Sequence, residues 1–236
     1  MDQVSTGIKG LDEMLGGGFP EGRIILVCGG PGAGKTIFSI QFLMEAAKNG
    51  TRGIYLTLEE PITLVKQNLA SFNWNLEEYE KKGLLKTIDY SKTAFKEGYS
   101  NCLDKGYSFL VRMITDVEDI EGKYLVIDPI SSVTIHHTSA SRKRYGIAMM
   151  FKMLRDTKCT CIVTSEVSPK TIDLNMKKYL ADGVVCLDKS FKDFELIKSI
   201  WIEKMRGLKY DEQLRPYDIT DEGLIVYHRE SFKKFV

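Results

Sequence analysis

Three observations predict an α/β fold with a mostly parallel central sheet flanked by helices and antiparallel strands added at the C-terminal edge. Up to about residue 165, short apolar runs alternate with segments of helical periodicity, as in β-α units whose helices cover a parallel sheet. After Asp182 the apolar runs follow one another without helices between them, which reads as antiparallel addition. The chain has 236 residues, 43% of them hydrophobic, enough for a sizeable core without a metal or disulfide staple and too apolar for a disordered chain. With no internal repeat, low-complexity tract or Pro- or Ser-rich linker, one domain over residues 1–236 is expected.

The elements follow in order. Arg23 to Cys28 is a continuous apolar strand that runs into a glycine-rich turn. Thr36 to Asn49 carries Ile37, Ile40, Leu43 and Ala47 at helical spacing, and Gly50 is a suitable stop. Ile54 to Leu58 is a second strand, and Pro61 opens a helix to about Phe72. Leu84 to Asp89 is a third strand, and the polar stretch from Tyr90 to Tyr107 has no assignment. Next come a helix from Ser108 to Ile120, a strand from Tyr124 to Asp128, a helix from Tyr145 to Thr157 and a strand from Cys159 to Ser165. The late strands are Gly183 to Leu187, Leu196 to Lys204, Arg215 to Ile219 and Leu224 to Tyr227, the last two joined at Asp221-Glu222-Gly223.

Lys plus Arg (33) against Asp plus Glu (32) gives a net charge of +1, which disfavours a strongly basic nucleic-acid coat. No apolar run reaches the roughly 18 residues of a membrane helix. The Met-Asp-Gln-Val start is unlike a signal peptide, so a cytoplasmic protein with no membrane partner is expected. Five cysteines (Cys28, Cys102, Cys159, Cys161 and Cys186) are expected to be free thiols in a reducing compartment. Cys159 and Cys161 read as one packed face of a strand, because His136, His137 and His228 do not complete a zinc set.

Gly29-Gly30-Pro31-Gly32-Ala33-Gly34-Lys35-Thr36 fits the P-loop pattern G-x-x-x-x-G-K-[ST] completely. Such a loop turns successive N–H groups toward phosphate oxygens, and the helix after it presents its positive end to the anion. Residues Gly30 to Ile37 are therefore the expected nucleotide contacts, with Lys35 bridging the β- and γ-phosphates and Thr36 holding Mg²⁺. Tyr124-Leu-Val-Ile-Asp128 is an apolar strand ending in an acid, which makes Asp128 the second expected Mg²⁺ residue. Hydrolysis also needs a base, and Glu59-Glu60 ends the second strand, where parallel strands face the ligand crevice.

The segment Ser5 to Arg23, leading straight into strand and P-loop, resembles RecA-superfamily ATPases of the KaiC and RadA type, the KaiC-like branch most closely. The resemblance continues through Tyr55 to Glu60, Tyr124 to Pro129, Ala181 to Val185, Lys204 to Gly207 and Arg215 to Tyr227, nearly the whole chain. It implies a P-loop NTPase of RecA type that binds ATP and Mg²⁺ between the subunits of a hexameric ring and engages a protein partner the sequence does not name. It implies that Glu59 or Glu60, with slight preference for Glu60, activates water, and that Lys204 and Arg206 reach the γ-phosphate of a neighbouring subunit. It puts Thr164-Ser165 at a γ-phosphate sensor position, and Phe72 where an aromatic lies against adenine or packs in the core. Two departures stand out. The clock members have two such domains in tandem, and their Ser-Thr phospho-acceptor pair is replaced here by Lys178-Tyr179.

Two other readings are carried. A DNA-binding recombinase paralogue of the RadA or RadB kind would use the basic run Ser141 to Arg144 with Tyr145. The neutral charge and the lack of an amino-terminal helical DNA-binding segment stand against it. The other is a slow nucleotide-gated interaction module.

Overall fold

The computed structural model describes residues 2–92, 103–118, 120–131, 140–167, 172–192 and 195–230. Cys102, His136 and His137 lie outside the described residues, as do the side chain of Arg142 and most of the unassigned stretch 90–107.

The strands are β1 (Gln3–Val4), β2 (Phe19–Pro20), β3 (Ile24–Gly29), β4 (Gly53–Thr57), β5 (Leu85–Asp89), β6 (Tyr124–Asp128), β7 (Thr160–Glu166), β8 (Gly183–Lys192), β9 (Glu195–Met205), β10 (Arg215–Thr220) and β11 (Gly223–Val226). The helices are α1 (Leu11–Leu15), α2 (Lys35–Lys48), α3 (Ile62–Asn68), α4 (Leu76–Lys81), α5 (Leu103–Glu118), α6 (Ala140–Asp156) and α7 (Ile172–Leu180). Apart from the β1–β2 pair, these strands form one nine-stranded sheet in the order β11-β10-β9-β8-β3-β7-β6-β4-β5. From β8 to β5 every pairing is parallel, and β9, β10 and β11 are added antiparallel. The expected architecture is the observed one.

Helices on both faces explain why the parallel strands read as continuous apolar runs. Along β3, Ile25 and Val27 enter a core with Phe19, Phe38 and Phe42, whereas Ile24, Leu26 and Cys28 enter a second core. That second core holds Met113 of α5 and Ile147, Met150 and Phe151 of α6. On the first face Gln41 of α2 donates to the carbonyls of Gly7 (2.8 Å) and Leu224 (3.2 Å) and accepts from the Leu224 amide (2.7 Å). It thereby ties the P-loop helix to the N-terminal segment and the last strand.

Several boundaries differ from expectation. The helix expected from Pro61 to Phe72 ends at Asn68, and α5 and α6 each begin five residues earlier than expected. The strands expected as Gly183 to Leu187 and Leu196 to Lys204 are parts of a longer hairpin, because mutual pairing carries β8 and β9 out to Lys192 and Glu195. Helix α7 was not foreseen. Its sequence interleaves Asp173, Asn175 and two lysines with its apolar residues, and Leu174 and Lys177 are buried. No helix among the described residues is long and apolar enough to cross a membrane.

Candidate active site

The β3–α2 connection carries residues 30–34 past the carboxyl end of β3. Its tight path needs glycine at Gly34, where φ is +87° and a Cβ would meet Ile219 Cδ1 at 2.8 Å. Gly29 is equally constrained, since a Cβ there would come within 2.6 Å of the Leu187 carbonyl oxygen on β8. The loop is supported from beneath by Tyr217, whose hydroxyl donates to the Ala33 carbonyl at 2.7 Å. Lys35 Nζ donates to the carbonyls of Gly29 (2.9 Å) and Gly30 (3.0 Å), which folds the ammonium over the loop. Burial lowers the Lys35 pKa from the ordinary lysine value, while the charges of Glu166 and Asp128 act the other way.

Asp128, at the end of β6, is the hub of an arrangement that joins three strands and α2. Its Oδ2 accepts from the Thr36 hydroxyl at 2.7 Å and from the Tyr55 hydroxyl at 2.9 Å. Thr164 of β7 donates to the other oxygen. Three neutral hydroxyls therefore fix the orientation of one buried carboxylate. The set of a carboxylate and an adjacent hydroxyl, both hard oxygens, suits Mg²⁺. Tyr55 is itself buried, and that burial, followed by the nearby Asp128 charge, pushes its pKa well above the ordinary phenol value. It remains a neutral donor. Replacing Tyr55 by Phe should cost about 1.5–3 kcal/mol of stability, the range for a lost hydrogen bond to a charged group. The midpoint of urea unfolding at constant m-value checks this, and an unchanged midpoint would remove Tyr55 from the hub.

An open crevice of about 530 Å³ lies above this hub, lined by Lys35, Thr36, Tyr55, Thr57, Glu59, Glu60, Asp128 and Glu166 among others. A second cavity of about 270 Å³ continues from it past Gly34, Thr36 and Ile37 to Val65, Asn68, Leu69 and Ile219. The two acids at the end of β4 diverge. Glu59 is exposed at the crevice and its charge acts on Lys35. Glu60 is half-buried, and its Oε1 accepts from Asn68 Nδ2 at 2.9 Å.

The sequence-expected residues Pro31, Gly32, Gly34 to Ile37, Glu59, Glu60 and Asp128 thus converge on one place, while Ala33 packs in the first core and Gly30 offers its carbonyl to Lys35. Ser165 does not line the crevice. It is fully buried and accepts a hydrogen bond from Lys177 Nζ at 3.1 Å, so Thr164 is the residue of that pair turned to Asp128. Phe72 stacks on Trp74 with ring centroids 4.8 Å apart, against the first core, and lines neither cavity. Lys204 and Arg206 lie at the opposite end of the sheet. Met205 is level with Gly183 and hence with Ile25, four residues or about 13 Å along β3 from Gly29. There Lys204 Nζ donates to the Lys178 carbonyl at 2.5 Å, and Arg206 donates to the Tyr179 carbonyl at 3.2 Å and pairs with Asp182 at 3.5 Å. Both cations complement the carboxyl end of α7.

Four contributors were missed: Tyr55, Tyr217, Glu166 and Lys189. Glu166 stands opposite Gly29 in the β7–β3 register, and Lys189 Nζ lies 3.2 Å from where a Cβ on Gly32 would stand. None had a sequence signal beyond its place near a strand end. The basic run at Ser141 begins α6, where Tyr145 is exposed. Among the described residues Cys28, Cys159, Cys161 and Cys186 are buried thiols.

The family described as "ATPase: KaiC" matches residues 4–231. The chain is 37% identical to UPF0273 protein PH0284 of Pyrococcus horikoshii, over 98% of this chain and 96% of that protein. It is 36% identical to a UPF0273 protein of Thermotoga maritima, over 97% of each. Among solved structures, a crystal structure of a KaiC-like protein, PH0186, from Pyrococcus horikoshii OT3 superposes with a TM-score of 0.84 at 32% identity. That match covers 96% of this chain and 99% of the other.

Proposed function

The chain belongs to the KaiC family of ATPases, a family of P-loop, nucleotide-binding proteins with a RecA-type fold, and from that premise we propose that it hydrolyses MgATP at sites shared between subunits of a ring. The convergence of Lys35, the Thr36–Asp128 pair and the exposed Glu59 carboxylate on one crevice supports the chemistry. In this reading the loop amides and Lys35 bind the β- and γ-phosphates, and Thr36 and Asp128 hold the Mg²⁺ of the substrate, which neutralises charge on the phosphates. The smaller cavity, walled by Val65, Leu69 and Ile219, takes the base. Glu59 orients the attacking water and accepts its proton as the oxygen bonds to the γ-phosphorus and ADP leaves. Glu60 is the weaker candidate because its Oε1 accepts from Asn68 of α3, which turns it toward the smaller cavity.

Sharing of the site rests on Lys204 and Arg206. They cannot serve the P-loop of their own subunit from the far end of the sheet, but Arg206 is exposed and Lys204 half-buried, where a neighbour could reach them. Contact with a neighbour's γ-phosphate would require Arg206 to exchange Asp182 and the Tyr179 carbonyl for phosphate oxygens, a stronger partner for a guanidinium. Ring closure would then couple nucleotide state to α7, which carries the same contacts, and so to whatever partner the ring engages.

The test is steady-state hydrolysis across protein concentrations that span assembly, with and without single-stranded DNA. The expected rate per subunit rises with assembly and ignores DNA. Mixing Arg206→Ala with Glu59→Gln subunits should restore activity that neither has alone, because some interfaces then hold both wild-type groups. No rescue at any ratio would sink the shared site. Strong, salt-sensitive stimulation by DNA would favour the recombinase reading and make Lys143 and Arg144 the next targets.

A further inference from the structure

Directly beneath the phosphate loop two thiols meet. Cys28 is the residue before Gly29 on β3, and Cys186 is its in-register partner on the adjacent parallel strand β8. Their sulfurs are 3.2 Å apart and both side chains are buried in the second core. The surroundings are polar for a core. Cys186 Sγ also lies 3.3 Å from Glu203 Oε2, and Lys178 of α7 pairs with that same carboxylate. Glu203 is there because the β8–β9 register shifts between Val184 and Val185. The shift leaves an extra residue on β9, and such bulges re-aim side chains.

We infer that Cys28 and Cys186 form a reversible oxidation site, closed to a disulfide by a hydroperoxide, whose closure loosens nucleotide binding. Cys186 has one S–H proton and two acceptors, the Cys28 sulfur and the Glu203 carboxylate. Directed at Cys28, it favours the Cys28 thiolate, and the charges of Lys178 and Lys35 favour it further against the opposing effects of burial and of the Glu203 charge. The thiolate attacks a peroxide oxygen, the O–O bond breaks, and the leaving hydroxide takes from solvent the equivalent of the proton that Cys28 released, becoming water. Cys186 then passes its proton to Glu203 while its sulfur displaces hydroxide from the Cys28 sulfenic acid, and that hydroxide leaves as a second water with the proton held by Glu203. Two thiols and one hydrogen peroxide become one disulfide and two waters. A dithiol reductant reverses the step.

Adjacent strands put the two Cα atoms within the span a disulfide accepts. Closure draws the end of β3 toward β8, and the Gly29 carbonyl, one residue on, is an acceptor of Lys35 Nζ. The second readout below therefore rests on the nucleotide reading, and the first does not.

The experiment treats the folded protein with excess hydrogen peroxide, alkylates the remaining thiols under denaturing conditions and maps the peptides by mass. A fluorescent ATP analogue is titrated before oxidation, after it and after dithiothreitol. The expected result is a peptide pair linked through Cys28 and Cys186, with analogue affinity lowered several-fold and recovered on reduction. Cys186→Ser should show neither linkage nor loss, and wild-type recovery in dithiothreitol keeps the test sound if a variant folds poorly. Full alkylation of both cysteines after peroxide overturns the proposal, and so does a linked pair with unchanged affinity. If reduced protein fails to bind the analogue at all, the ATP reading fails, and the peptide map alone still decides the thiol chemistry.

Discussion

Lys35→Ala is expected to abolish ATP binding and turnover while leaving the fold intact. The side chain is half-buried, and its loss removes the two bonds to the carbonyls of Gly29 and Gly30. The loop's shape is set by Gly34, by Tyr217 under Ala33 and by the first turn of α2, none of which needs the ammonium. What the ammonium does in the proposed site is bind two phosphates. Two charge-assisted hydrogen bonds at about 1.5–3 kcal/mol each, with 1.4 kcal/mol per tenfold, make affinity at least about 100-fold weaker. Calorimetric titration with ATP analogues, beside an unchanged circular dichroism spectrum, checks this. Binding of undiminished affinity would remove the P-loop from the function.

The site was legible in the sequence where its chemistry is contiguous. Gly29 to Thr36 lies in one stretch whose residue types are dictated by loop geometry, and Asp128 follows the apolar strand that buries it. Legibility fails where a contact depends on register between distant strands. Tyr55, Thr164 and Asp128 come from β4, β7 and β6, and their hydroxyl–carboxylate bonds exist because those strands end level with one another. Glu166 became a crevice residue for the same reason, while Ser165, one position earlier, faces the other way and is spent on Lys177. In the fold, the β-α alternation was plain, because strands buried on both faces are apolar without interruption. Helix α7 was not, because it is short and its core-packed Leu174, Met176 and Leu180 are interleaved with Asn175, Lys177 and Lys178. The basic pair Lys204 and Arg206 was found, but the sequence could not say that it stands about 13 Å from the plane of its own loop. That placement is what makes a neighbouring subunit part of the proposal.

Glu59→Gln is expected to lower the hydrolysis rate by about 10²- to 10⁴-fold with nucleotide affinity nearly unchanged, the range for removal of a general base. Glu60→Gln should lower it far less. The two acids are adjacent in sequence but not equivalent in setting. The Glu60 carboxylate accepts from Asn68 and its carbonyl accepts from the Thr57 hydroxyl at 2.6 Å, so the residue is turned toward α3 and helps shape the smaller cavity. Substitution there should act mainly on affinity, through the β4–α3 connection. Glu59 is exposed beside the phosphate loop, close enough for its charge to act on Lys35, and amide replacement removes the basic oxygen with almost no change of shape. Comparing kcat and Kd for the two variants separates these roles, since loss of a base acts on kcat and loss of a wall acts on binding. A larger kcat loss in Glu60→Gln would reverse the assignment and require Asn68 to release its carboxylate when nucleotide binds. In that case Asn68→Ala should raise the rate, because the acid it restrains would be free to meet the water.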